Sequence, residues 1–224
     1  MQASVFGLAG TDALFLAAIS RSCCPRRRLA VHPSSVVIWL ATGNGHGPAR
    51  MHHQELQEVA PAEISPGQPL GEALLALNNA HSQELSWLEP ERLMHLVAQA
   101  FLVRRIGNLD AFLLAFDQDA DYDSPNFLWF PLRYPRFVYV DRIVVASSAR
   151  GRGCAHQLYC HLFEHAGTGG HERVVCEVNS RPPNPASDAF HAALGFVEVG
   201  GASVYDGSRT VRYLSRPLST PTTI

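Results

Sequence analysis

Between residues 137 and 166 the chain passes from a buried strand, through a loop of glycine and arginine, into a helix with one apolar face. Phe137 to Ala146 is dense in Val, Ile, Phe and Tyr, side chains that pack well on a pleated, half-buried surface. After the loop Arg150-Gly151-Arg152-Gly153-Cys154-Ala155, the residues Ala155, Leu158, Tyr159, Leu162, Phe163 and Ala166 recur at i, i+3, i+4, i+7, i+8 and i+11. That recurrence is the stripe of an amphipathic helix. A strand feeding directly into such a helix calls for a layered α/β architecture, in which the helix covers one face of the sheet.

The same junction carries a chemical expectation. A helix start presents backbone N–H groups with no acceptor inside the helix, and the helix dipole favours an anion there. Gly151 and Gly153 permit positive φ and remove the Cβ atoms that would block a pyrophosphate, while Arg150 and Arg152 add permanent positive charge. The loop is not a dinucleotide fingerprint, because position 156, where the third glycine would fall, is His156. Nor is it a P-loop. The 224 residues contain no lysine, so all 18 basic residues are arginines, which also excludes Schiff-base catalysis and pyridoxal phosphate attachment.

The flanking sequence fills in the other elements. Leu70, Ala73, Leu74 and Leu77 have helical spacing and end near Asn78-Asn79-Ala80-His81. Pro90 opens a second helix through Leu93, Leu96, Val97 and Ala100. Phe101 to Arg105 and Ala111 to Phe116 read as paired strands turned at Gly107-Asn108, followed by an irregular acidic and aromatic insert from Asp117 to Tyr134. There Trp129 and Phe130 read as core rather than ligand-stacking rings. Beyond the central helix come a short strand, Arg173 to Val178, and a helix from Pro185 to Leu194 stopped by Gly195. Phe196 to Tyr205 and Arg209 to Leu214 then flank Asp206-Gly207 as a C-terminal hairpin.

One principal domain fits this length. Residues 51–218 carry the patterned sequence, and 219–224 form a tail. Residues 1–50 differ in character: Asp12 is their only acid, Arg26-Arg27-Arg28 is a basic cluster, and the apolar run Ala13 to Ile19 is too short to span a bilayer. They read as an upstream extension outside the fold, with a targeting segment as the alternative. The five cysteines show no CxxC spacing, which points to a reducing, cytoplasmic setting without a disulfide framework or structural zinc. His156, His161 and His165 lack the carboxylate motif of a zinc enzyme, so no metal is expected. A net charge of −2 gives no basic stripe, and neither nucleic acid nor membrane is an expected partner.

The strand, the RxxGxA loop and its helix, the strand ending Glu177-Val178-Asn179, and Asn184 followed by Phe190-His191 and Leu194-Gly195-Phe196 together resemble the GNAT superfamily of N-acetyltransferases. In element order the resemblance spans about residues 59–216. The segments Tyr139 to Val145, Cys176 to Asn179 and Asn184 to Phe196 are most similar to those of uncharacterised bacterial acetyltransferases. The resemblance implies an α/β fold with a mixed, mostly antiparallel sheet flanked by helices and closed by a C-terminal β-hairpin. It implies acetyl-CoA as cosubstrate, a small-molecule primary amine as acceptor, direct transfer in a ternary complex, and a homodimer as a candidate assembly.

Carried over residue by residue, Arg150, Gly151, Arg152, Gly153, Cys154 and Ala155 would cradle the pyrophosphate. Ile143, Val144 and Val145 would run beside the pantetheine arm, and Asn184 would contact the cofactor. The family places a tyrosine, often the acid that protonates the departing thiolate, seven residues after that asparagine. Here the position is His191, which either serves as the acid or packs beside the cofactor while water or Tyr205 donates. Glu177 is the first candidate base and Asp141 the second, the structural alternative being ion pairs with Arg173 and Arg142. Asn79, His81 and Tyr122, with Asn78 and Asp123, stand where the family forms its acceptor pocket, although capping and turn formation would also account for them. The alternative function is a non-catalytic acyl-CoA binding or sensing module.

Overall fold

The computed structural model describes residues 55–82, 85–204, 207 and 209–218. The expected extension 1–50, the tail 219–224, Tyr205 and Asp206 lie outside the described residues. Among the described residues are seven strands: β1 (Leu56–Glu58), β2 (Leu102–Ile106), β3 (Ala111–Asp117), β4 (Phe137–Val145), β5 (Arg173–Arg181), β6 (Val197–Val204) and β7 (Arg209–Pro217). Five α-helices accompany them: α1 (Pro69–Asn79), α2 (Pro90–Gln99), the single turn α3 (Pro125–Leu128), α4 (Cys154–Thr168) and α5 (Pro185–Ala193). Proline opens four of the five, where its missing N–H costs no helical hydrogen bond. The exception is α4, entered through Gly153 at φ 81°.

The strands form one sheet in the order β1-β2-β3-β4-β5-β7-β6, antiparallel throughout except for β4 beside β5. This is the mostly antiparallel sheet with a final hairpin that the sequence suggests. Three features are not anticipated by the sequence pattern: β1, α3 inside the aromatic insert, and the extra length of β5 and β7. β1 is three residues on the sheet edge, too short for periodicity to register. Two cores sandwich the sheet. Leu74 of α1, Leu93, Leu96 and Val97 of α2 and Phe127 of α3 pack on one face with Phe112, Leu114, Phe116, Phe137 and Tyr139. Leu158, Tyr159, Leu162 and Phe163 of α4 cover the other with Leu113, Ala115, Val138 and Val140. Phe130 is fully buried and Trp129 stacks on Tyr213 at 4.5 Å, both serving the first core.

Two irregularities in β4 shape the middle of the sheet. Parallel pairing with β5 covers only Phe137–Tyr139 against Arg173–Val175, so the two strands part while each continues for six more residues. The second irregularity is a bulge: Leu114 pairs with Arg142 and Ala115 with Val140, leaving Asp141 without an opposite residue. In a regular strand consecutive side chains point to opposite faces. The extra residue cancels that alternation, and Asp141 and Arg142 both point toward α1. Arg142 Nε donates to Asp141 Oδ2 at 2.5 Å, with both side chains 5% exposed or less. Arg142 Nη1 donates to Asn78 Oδ1 at 2.9 Å, and Tyr122 Oη to Asp141 Oδ1 at 2.5 Å.

Removing one member of a buried ion pair strands the other charge, at a cost of about 3–5 kcal/mol, whereas apolar replacement of both partners is often close to neutral. Arg142→Met is therefore expected to lower unfolding stability in urea by that amount, and Asp141→Leu/Arg142→Met by clearly less.

Candidate active site

The parting of β4 and β5 opens a cavity of about 810 Å³. Its walls are Val140 to Val145 of β4 and Cys176 to Asn179 of β5. It is capped at one end by Arg150, Gly151, Gly153, Cys154 and Ala155, and on the α5 side by Asn184, Ser187 and His191. Of the expected cofactor residues only Arg152 is missing from this lining; it pairs with Asp110 at 3.2 Å. Gly151, at φ 75°, has nothing within 4 Å of where a Cβ would sit, and Gly153 adopts φ 81° as the residue before α4. These left-handed conformations disfavour side chains, and the N-terminus of a fifteen-residue helix stands at the cavity. Among the described residues β4 has no strand partner on the cavity side beyond Tyr139, so its backbone polar groups there are placed to pair with an extended amide-bearing arm.

These features fit coenzyme A: an anion cradle, a strand edge that pairs with amides, and a long slot between them. Asn184 serves the fold as well as lining the slot, since its Oδ1 accepts from Ser187 N at 3.1 Å and caps α5.

Glu177 lies where the slot reaches the α1–α3 face. Its Oε2 accepts from Tyr139 Oη at 2.7 Å and its Oε1 from Asn126 Nδ2 at 3.0 Å, while Asn126 Oδ1 accepts in turn from Tyr213 Oη at 3.2 Å. The expected alternative partner, Arg173, instead stacks over the Tyr134 ring. Burial, opposed by the Tyr139 hydrogen bond and reinforced by the charge of Asp141, pushes the Glu177 carboxyl up to about 7. Such a carboxyl changes protonation state near neutrality, as a general base requires. Asp141 also lines the cavity but is engaged by Arg142 and Tyr122.

Among the candidate acceptor contacts, His81 lines the main cavity. Tyr122 lines a smaller polar recess of about 60 Å³ beside it, together with Ser124, Asn126, Asp141, Glu177 and Arg209. Asn79 is structural: its amide exchanges hydrogen bonds with the backbone N and O of Leu88, both at 2.9 Å, and pins the α1–α2 connection. Asn78 is fully buried and donates to Ser86 O at 3.0 Å. Asp123 pairs with Arg92 at 2.8 Å on the surface.

His191 is buried. Its Nδ1 lies 2.8 Å from the Ser187 carbonyl oxygen and its Nε2 2.8 Å from Tyr159 Oη. Sequence reasoning does not single out Asn126, Tyr139 or Tyr159. Tyr139 and Tyr159 sit at core positions and read there as hydrophobes, and Asn126 falls in the irregular insert. The signal that could have found the tyrosines is the hydroxyl on each ring, since a buried tyrosine must find a hydrogen-bond partner.

The family model described as the acetyltransferase (GNAT) family matches residues 74–196. No curated protein matches the chain in sequence. Similar solved structures include a ribosomal-protein-alanine N-acetyltransferase from Brucella melitensis, with 20% identity and a TM-score of 0.54 over 73% of this chain and 99% of that one. Another is Chaetomium thermophilum Naa20 in complex with a bisubstrate analogue, with 17% identity and a TM-score of 0.57 over 73% and 86%. A third is yncA from Salmonella typhimurium with its cofactor acetyl-CoA, with 16% identity and a TM-score of 0.55 over 76% and 97%. At these identities the likeness establishes a shared fold.

A rate that depends on the Glu177 carboxylate is lost as that group takes up its proton. kcat/KM is expected to fall about tenfold per pH unit below the carboxyl pKa, which stands at about 7, and to level off above it. In Glu177→Gln the step near 7 should vanish, leaving only the ionisation of the amine itself.

Proposed function

The chain belongs to the acetyltransferase (GNAT) family, and from that premise we propose that it transfers the acetyl group of acetyl-CoA to the primary amine of a small molecule by direct attack in a ternary complex. The observation that carries this reading is the continuity of the cavity, which runs from the glycine cradle along the open edge of β4 to the Glu177 carboxyl. Acetyl-CoA supplies an activated thioester. The chain's own residues bind it, hold it in line with the acceptor and move protons.

The acceptor arrives as an ammonium and must lose a proton before its nitrogen can attack. Glu177, held by Tyr139 and Asn126, accepts that proton. The recess beside it is polar, is lined by the carboxylates of Asp141 and Glu177 together with Arg142 and Arg209, and measures about 60 Å³, a size that suits an amine on a short carbon stem. An N-terminal amine presented on a peptide is the acceptor of different class that the test must separate. A pure acyl-CoA binding module has less support, because a buried carboxyl held only by neutral donors is costly to keep where no proton has to be moved.

Acetyl-CoA at about 100 times its Kd is expected to stabilise the protein by about 2.7 kcal/mol, which reads as a rise of several degrees in Tm. Gly153→Val, which places a branched side chain at φ 81° in the cradle, should lose most of that shift. Free-thiol release with acetyl-CoA should then appear with one or more small primary amines and exceed that with peptides carrying free N-termini. A stabilised protein that releases thiol with no amine would leave the binding-module reading standing. Release confined to peptides would reassign the acceptor class.

A further inference from the structure

The hydrogen bonds around His191 fix where its proton sits. A backbone carbonyl only accepts, so at 2.8 Å from the Ser187 oxygen it is Nδ1 that carries the hydrogen, and the Ser187 hydroxyl oxygen, 3.2 Å from the same nitrogen, is a second and longer acceptor. Burial depresses the imidazole pKa, against the opposing pull of the Ser187 carbonyl and Asp188, and the ring is neutral near pH 7. A neutral ring protonated on Nδ1 has a bare lone pair on Nε2. The hydroxyl 2.8 Å away must therefore be the donor: Tyr159 Oη gives its hydrogen to His191 Nε2. The rings meet edge to face at 5.5 Å, with Phe190 and Phe196 packed around the pair.

His191 thus has no proton to offer the cavity, although it lines it. Tyr159, on the second turn of α4, lines the same cavity beside Cys176, near enough to Glu177 to feel its charge. We infer that Tyr159 is the group that protonates the departing sulfur, and that His191 is a positioning residue whose Nε2 holds the Tyr159 hydroxyl at the cavity wall. This inference rests on the acetyl-transfer reading above.

Each proton in the transfer has a source and a destination. Glu177 takes the proton of the attacking amine as the C–N bond forms. The C–S bond breaks with its electron pair on sulfur. The Tyr159 hydroxyl rotates about its C–O bond, gives up its hydrogen bond to His191 and passes its proton to sulfur. Glu177 then releases its proton to solvent, and the phenolate recovers one from solvent. Burial pushes the Tyr159 phenol well above its ordinary value, and an anionic sulfur in the same slot is likewise poorly solvated and more basic than in water, so desolvation acts on donor and acceptor in the same direction.

Nitrogen-15 NMR of the full-length protein without cosubstrate should show His191 protonated on Nδ1 and bare on Nε2 at about pH 7.5, above the ordinary imidazole pKa. In steady-state kinetics with acetyl-CoA and an accepted amine, Tyr159→Phe should lose about 100-fold or more in kcat, the scale of a general acid, with KM for acetyl-CoA little changed. With an acetyl aryl thioester, whose thiol leaves without needing a proton, the Tyr159→Phe loss should shrink to a few-fold. His191→Gln, which keeps an acceptor near the hydroxyl, should lose less than Tyr159→Phe, and His191→Phe more than His191→Gln. A hydrogen on Nε2 of His191, a Tyr159→Phe deficit equal on both thioesters, or a larger deficit in His191→Gln than in Tyr159→Phe would overturn the assignment. If the unsubstituted protein turns over neither thioester with any amine, the acetyl-transfer reading fails and takes this inference with it, a failure set apart because it appears before any substitution.

Discussion

The structure turns on the place where β4 and β5 stop being a sheet. Parallel pairing ends at Tyr139 and Val175, and beyond those residues the facing edges of the two strands serve the slot rather than the ladder. An unpaired strand edge inside a protein is costly unless something completes its hydrogen bonds. Here the fold tolerates the gap because both strands remain anchored on their outer sides, β4 by β3 and β5 by β7. The open edges thus form a preorganised binding surface without loss of rigidity in the walls. A bound arm with amide groups would complete the pairing that the parting of the strands leaves undone.

The bulge at Asp141 answers the same demand. If β4 kept its alternation, Asp141 and Arg142 would fall on opposite faces, one of them as a lone charge inside a packed core. By resetting the alternation, the extra residue lets each neutralise the other and ties both to α1 through Asn78 and to the insert through Tyr122. With Asp141 so engaged, Glu177 is the carboxyl held by neutral donors, Tyr139 and Asn126, and its pKa is elevated by burial. Two carboxylates on adjacent strands are thereby given different partners, charged for Asp141 and neutral for Glu177.

Most of the element order was legible in the sequence because it rests on periodicity, proline at helix starts and glycine at stops, all of which are local. The glycine loop at the end of the cavity was legible for the same reason, since glycine spacing and a strand-to-helix transition are written in consecutive residues. The bulge was not, because Val-Asp-Arg-Ile within an otherwise apolar strand carries no mark of which residue lacks a partner on β3. Glu177 could be picked out, but its partners Asn126 and Tyr139 lie 51 and 38 residues away. Asn79 illustrates the converse: it stands where an acceptor contact is expected, yet its amide is spent on the Leu88 backbone. Capping and turn chemistry use the same side chains as recognition, and only tertiary structure separates them.

The division of the sheet into two faces also divides the proton chemistry. Glu177 and Asp141 lie on the side of α1, α2 and α3, whereas Tyr159 belongs to the core beneath α4. Both line the one cavity, so their roles are set apart by their partners, Tyr139 and Asn126 for Glu177 and His191 for Tyr159. The replacement of a tyrosine by His191 is tolerable for the same reason. A hydroxyl reaching the slot from α4 occupies the same face as α5, and a neutral imidazole with its only hydrogen bound to Ser187 supplies the acceptor that keeps that hydroxyl in position. The function attaches to the face and to the O–H bond rather than to one position in the chain.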